Sequence, residues 1–158
     1  MRFEEIVQKF GAAVEAGDGT ALGDLFTQDG VYHDMFYGAF TGRDAIKGML
    51  EGIFHRDAKD FRWEFLDPVS DGTVGYAHWL FSYTGTTDHI KDQRVVFDGI
   101  GLFFLKDGLI SRYEDVSNSA VPLKAMGVPA PVIDRMIGKW QSELEARPGY
   151  DAHKAGRA

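Results

Sequence analysis

The sequence predicts an α+β domain, with helices segregated from a run of antiparallel strands. Three observations predict it. Apolar residues recur at helical spacing near both ends, while the middle alternates with the two-residue period of strands. The 158 residues suit one domain built around one core. Apolar side chains make up 44% of the chain and aromatics 13%, enough for a packed interior.

Phe3, Ile6, Val7, Phe10, Ala13 and Val14 fall on one helical stripe that Gly17 and Gly19 end. Thr20 is positioned to cap a short second helix carrying Leu22, Leu25 and Phe26. Gly30 then interrupts, and Val31 to Tyr37 reads as extended. Thr41, with Asp44 three residues on, resembles a capping box opening a third helix. Its stripe is Ile46, Met49, Leu50, Ile53 and Phe54.

Phe61, Trp63 and Phe65 alternate with Arg62 and Glu64, a half-buried strand. After the Asp71-Gly72 turn, Val74 to Tyr83 is nearly all apolar, which predicts a strand covered on both faces. A polar loop, Thr86 to Gln93, separates it from a long strand, Arg94 to Leu105. Asp107-Gly108 turns into a last strand, Leu109 to Val116. An irregular stretch holding Pro122, Gly127, Pro129 and Pro131 leads to a final helix, Pro131 to Ala146. A single domain over 1–146 is expected, with a frayed tail over 147–158.

The formal charge of -7 argues against nucleic acid and anionic membrane surfaces, which attract basic faces. With no cysteine, disulfides, thiolate metal sites and cysteine nucleophiles are excluded. No apolar run reaches the roughly 18 residues of a spanning helix, and the acidic first turn lacks a signal-peptide core. A cytoplasmic protein is therefore expected.

Four stretches carry a family resemblance: Val7-Gln8-Lys9-Phe10 with Ala16-Gly17-Asp18; Leu25-Phe26 through Asp29-Gly30-Val31-Tyr32-His33-Asp34; Thr41-Gly42-Arg43-Asp44-Ala45-Ile46; and Phe104-Leu105-Lys106-Asp107-Gly108-Leu109-Ile110 leading to Tyr113-Glu114-Asp115. In this order they resemble the nuclear-transport-factor-two-like (cystatin-like) superfamily, which includes SnoaL-like polyketide cyclases, ketosteroid isomerase, scytalone dehydratase and limonene epoxide hydrolase. The resemblance implies a cone: a curved sheet whose concave face lines a mostly apolar pocket closed by helices. Because the fold hosts many chemistries, it does not by itself assign one.

Strand parity then sorts side chains. If Asp34 points inward, so does Tyr32, and His33 points out. Tyr113 and Asp115 share a face, as do Ala77, Trp79, Phe81 and Tyr83, with Tyr76, His78, Leu80 and Ser82 on the other.

The resemblance places Asp34 at the general base of ketosteroid isomerase. Set among Tyr32, Met35, Phe36 and Phe40, its carboxylate would be desolvated into a better base near neutral pH; alternatively it caps the turn before Gly38 or faces solvent. Asp115 resembles the acid of the limonene epoxide hydrolase pattern. Two carboxylates facing one cavity would repel, leaving one protonated as general acid; alternatively Asp115 caps its strand or pairs with Arg112 or Arg94. Tyr113 and Tyr32 are candidate hydrogen-bond donors. His78, the histidine expected to be buried, is a candidate base or proton shuttle, or an interface residue. His33 and His55 are expected to face solvent. Asp98 is expected to pair with Arg94, and Gly99 and Gly101 to mark a bulge or a close approach by ligand or helix.

Trp79, Phe81, Phe10, Phe36, Phe97 and Met126 are candidate substrate contacts, fitting a flat aromatic ligand. No cofactor is expected, and no histidine pair has metal-ligand spacing. A homo-oligomer, dimer or trimer, is expected through the outer sheet face. The pattern also departs from its relatives. Phe10 and about Gly101 stand where ketosteroid isomerase has its tyrosine and acid, and the central strand lacks the Arg-x-Asp pair of limonene epoxide hydrolase. An acid–base isomerase, lyase or cyclase is the expectation, with a non-catalytic binding protein as the alternative.

Overall fold

A computed structural model describes residues 1–156. Helix α1 (Phe3–Ala16) buries the predicted stripe and stops at Gly17, whose φ of 69° is the left-handed cap glycine adopts without strain. In α2 (Gly19–Asp24) the cap is Asp18, not Thr20: the Asp18 carboxylate accepts from the Ala21 amide at 2.8 Å. Strand β1 (Phe26–Asp34) spans Gly30, but its pairing with β6 shifts register between Phe26 and Val31, so the expected interruption is an irregularity inside one strand. Its turn returns as a short strand, β2 (Gly38–Thr41), that the sequence reading did not separate. Helix α3 (Arg43–Met49) starts at Gly42 with no side-chain cap, so the expected capping box does not form. A π-helical turn (Leu50–Phe54) carries it into α4 (His55–Asp57).

Strands β3 (Ala58–Ser70), β4 (Val74–Gly85), β5 (Arg94–Lys106) and β6 (Leu109–Val116) complete one sheet of order β2-β1-β6-β5-β4-β3. The β1–β6 pairing is parallel and the others antiparallel. The β3–β4 register slips between Lys59 and Arg62 and again between Leu66 and Val69. Asp60 and Asp67, inside those two gaps, have positive φ. Such bulges raise local twist and bend the strand, and aspartate tolerates the left-handed conformation better than most residues. They curl β3 so that the concave face encloses a core.

The packing of α1 against β3 fills one end of that core. Phe10, fully buried, meets Phe26, Tyr32, Trp63, Phe65, Phe103 and Tyr113 at ring-centre distances of 4.8–6.2 Å. Gly99 pairs across the sheet with Trp79, and a side chain there would strike the indole at 2.4 Å. The close approach expected at Gly99 is thus made by Trp79, not by ligand or helix.

Parity holds on β4, but its two-sided cover does not. Ala77, Trp79 and Phe81 are buried, while Tyr76, His78 and Leu80 are exposed on the outer face. There His78 lies 3.7 Å from Asp98, so Asp98 pairs with His78 and not with Arg94. Arg94 instead reaches the Ser82 hydroxyl and the Asp60 carbonyl.

Beyond β6 the stretch expected to be irregular contains a helix, α5 (Ala120–Ala125). Helix α6 (Ala130–Glu145) forms as predicted but buries none of its residues. It is held by Trp140, whose indole N–H donates to the Met35 carbonyl at 3.0 Å and whose ring lies edge-on to Phe36. Part of the tail expected to fray is a short helix, α7 (Tyr150–Ala155), while residues 157–158 lie outside the described residues. No helix among the described residues is long and apolar enough to cross a membrane.

Candidate functional site

The end of the core opposite Phe10 is open. Its cavity of about 240 Å³ is walled by rings, including Trp63, Trp79, Phe81, Tyr83 and Phe97, and touched by three acids, Asp34, Asp57 and Asp115.

Asp34 is the last residue of β1, and the chain turns over its own carboxylate: Oδ1 accepts from the Phe36 and Tyr37 amides at 2.8 Å each. The two readings of Asp34 are therefore one. The acid that caps the turn is also buried and lines the hollow. Burial pushes its pKa up, and the Tyr37 and Phe36 amides pull it back. Burial prevails, so the pKa of Asp34 stays raised from the ordinary aspartate value.

Asp115 comes from β6, beside β1 in the sheet. It pairs with neither Arg112, which bonds Glu114, nor Arg94. Its polar partner is the Tyr113 hydroxyl, which donates to Oδ1. The carboxyl sits deep in the molecule, yet the side chain keeps accessible surface because it borders the hollow. Burial first, and the Asp34 charge second, push its pKa well up, against the weaker pull of the Tyr113 hydroxyl. Of the two acids, Asp115 has the greater claim on a proton: Asp34 has two amide donors and Asp115 has one phenol.

Tyr32 shares the inward face of β1 with Asp34, and its hydroxyl is buried with no hydrogen-bond partner. Burial and both acids raise its pKa well above the ordinary phenol value. Tyr113 is raised likewise, burial first and then Asp115. Both phenols stay protonated as donors. The Tyr83 hydroxyl donates to the Met126 sulfur at 3.3 Å, and burial pushes its pKa up to about 12.

The structure thus brings Asp34, Asp115, Tyr32, Trp79, Phe81, Phe36, Phe97 and Met126 to one cavity, with Tyr113 behind Asp115. Two candidates are corrected. His78 is exposed on the outer sheet face, because residue parity on β4 is fixed by the burial of Ala77 and Trp79. It has no access to the site. Phe10 is not a substrate contact: rings from β1, β3, β5 and β6 close over it completely. His55, expected in solvent, is half-buried, with Nε2 2.8 Å from the Val14 carbonyl and its ring 4.5 Å from Phe61.

The reading missed Phe54, Phe61, Tyr37, Asp57 and Ile90 as wall residues. Phe61 carried a signal, since it alternates in phase with Trp63; the others reach the cavity through a π turn and loops whose direction no periodicity encodes.

Comparisons with known proteins agree with this fold. A SnoaL-like domain profile matches residues 7–113. No curated protein matches the sequence. Among solved structures, a hypothetical protein from Catenulispora acidiphila with a ketosteroid isomerase-like fold, in complex with trimethylamine, superposes with a TM-score of 0.72 at 21% identity, covering 82% of this chain and 98% of that one. A putative polyketide cyclase from Pseudomonas putida gives 0.65 at 21% identity, over 79% of this chain and 98% of its own. An M. tuberculosis limonene-epoxide-hydrolase-like epoxide hydrolase gives 0.64 at 20% identity, over 82% and 94%. At these identities the superpositions establish the fold and leave the chemistry to the site.

Proposed function

The chain belongs to the SnoaL-like domain family, and from that premise we propose that it is a cofactor-independent acid–base enzyme, an isomerase, lyase or cyclase, acting on a small hydrophobic, aromatic substrate held in the hollow. The observation that carries this reading is the pairing of two unequal acids in one apolar cavity. We assign Asp34, whose carboxylate accepts from two amides, as the base, and Asp115, whose pKa burial and then the Asp34 charge push well up, as the donor.

In the step proposed, the Asp34 carboxylate takes a proton from a carbon beside a carbonyl. The C–H electron pair moves into the new C=C bond, and the carbonyl π pair moves onto oxygen. Asp115 donates a hydrogen bond to that oxygen as its charge grows, backed by the Tyr113 hydroxyl. Returning the proton to another carbon isomerises the substrate, and expelling a leaving group makes the reaction an elimination. The register supports this reading for the departure at Gly101. Gly101 is the cross-strand partner of Asp115, so an acid reaches the same part of the sheet from the neighbouring strand. A cavity of about 240 Å³ lies below the roughly 300–1,000 Å³ of drug-sized pockets, which favours one or two rings over a larger polycycle.

The test is turnover of a panel of hydroxylated aromatic and small cyclic ketones by wild type and Asp34→Asn. The expected loss in kcat is about 10²- to 10⁴-fold. Equal rates in the two proteins would remove Asp34 from the reaction.

Non-catalytic binding is the second reading, and the sealed Tyr32 hydroxyl favours it, since a buried donor with no partner gives no direct help to a substrate oxygen. A homo-oligomer is proposed through the outer sheet face, where Tyr76, Leu80, Val96 and Ile100 are exposed around the His78–Asp98 pair. Light scattering tests it, with a monomeric mass as the contrary result.

A further inference from the structure

The hollow is built of aromatic rings and acids and of little else that could hold a charge. Among the described residues its lining includes no lysine, arginine or histidine. Asp57 has an outward counter-charge, Arg56 at 2.6 Å, which holds its carboxyl below the usual range. Asp34 has no such partner: its charge rests on two backbone amides, and it faces the cavity. An anionic ligand would meet these carboxylates with nothing to neutralise it, and a neutral one would leave the Asp34 field unused.

The rings are arranged to accept a positive charge. Phe61 stacks on Phe81 at 5.9 Å and 29°. Phe97 stands across both Phe81 and Tyr83, at 87° and 88° and ring-centre distances of 5.4 and 6.4 Å. Rings set at right angles do not share one plane, so their negative faces point in different directions around the cavity. A cation is attracted to such a face within about 6 Å, most strongly where water is excluded. The chain's formal charge of -7 gathers cations toward the mouth.

We propose that the ligand of this hollow carries a substituted ammonium group, tertiary or quaternary, lodged among Phe61, Phe81, Tyr83 and Phe97 within the field of the Asp34 carboxylate. The assignment deepens the acid–base reading by naming a substrate class, and it rests on that reading only for the ionised state of Asp34. A permanent positive charge near the reacting carbon would also make its C–H more acidic, which suits a carboxylate base.

The probes are benzyltrimethylammonium and its neutral isostere neopentylbenzene, in which a carbon replaces the nitrogen. Their binding to the intact protein is followed by ligand-detected NMR at neutral pH. The cation is expected to bind at least about tenfold more tightly than the isostere, the equivalent of one desolvated cation–π contact. Asp34→Asn and Phe97→Leu are each expected to lower that preference severalfold, and Phe97→Leu keeps the assignment testable if Asp34→Asn folds poorly. Equal or tighter binding of neopentylbenzene overturns the ammonium assignment and leaves the acid–base reading intact, because Asp34 is tested separately by turnover. Binding of neither compound overturns the assignment together with the cavity as a ligand site.

Discussion

The two ends of this interior are lined by the same kinds of residue and do opposite things. At one end Phe10 from α1 is inserted among six rings and no space is left. At the other, rings from β3, β4 and β5 stop short of closing and leave a hollow touched by Asp34 and Asp115. Packing there is incomplete where the helical cover is interrupted: a π turn replaces regular helix over Leu50–Phe54, beside the hollow. The difference teaches that aromatic content alone does not separate core from site. What separates them is whether a helix delivers a side chain into the space.

The strongest way to break this contrast is to compare Phe10→Ala with Phe97→Ala by chemical denaturation. Phe10→Ala is expected to cost about 3–5 kcal/mol, since it opens a void among rings that cannot collapse. Phe97 is half-buried and already borders empty space, so Phe97→Ala is expected to cost about 1–2 kcal/mol. Equal costs would mean that the two ends are equally packed.

A smaller effect concerns Asp115→Asn, read as thermal stability against pH. The folded pKa of Asp115 lies above its unfolded value, so the native state binds the extra proton. Its contribution is whole below the ordinary aspartate range, near pH 4, and is lost as pH rises toward the raised value. Asparagine carries no charge at any pH. The variant should therefore match wild type near pH 4 and melt higher at pH 7–8, by about 2–4 °C for each kcal/mol relieved. A gap that widens on acidification instead would contradict the assigned direction. Asp34 adds a dependence of the same sign, because burial raises it too.

The smallest expected effect is at α6. Trp140→Phe keeps the ring contact with Phe36 and deletes the bond to the Met35 carbonyl, worth about 1 kcal/mol. Amides of α6 should exchange several-fold faster with no change in α1. Unchanged exchange would show that the helix is held by something other than Trp140.

Much of the fold was legible because it follows periodicity. The α1 stripe, the inward set Ala77, Trp79 and Phe81, and the shared face of Tyr113 and Asp115 all obey simple spacing rules. Parity also tied Asp34 and Tyr32 to one face, which the structure shows to be the inward one. It could not say which apolar strand face is left uncovered, so His78 was read as buried when it stands beside Asp98 on the outer face. Nor could it distinguish Phe10 as core from Phe97 as wall, since both sit on apolar stripes and only the depth of the helix separates them. The Asp34 turn was legible as a cap or as a site; that one carboxylate is both depends on the three-dimensional path of Phe36 and Tyr37.

The central claim is that the two acids of the hollow share one proton at neutral pH, held on Asp115. Carbon-13 NMR of the aspartate side-chain carboxyls, titrated from pH 3 to 9 in wild type and in Asp115→Asn, reads this directly. One carboxyl should titrate well above the ordinary aspartate range and vanish in Asp115→Asn, while a second, less raised carboxyl, that of Asp34, remains. All aspartates titrating near or below their ordinary value would contradict the claim.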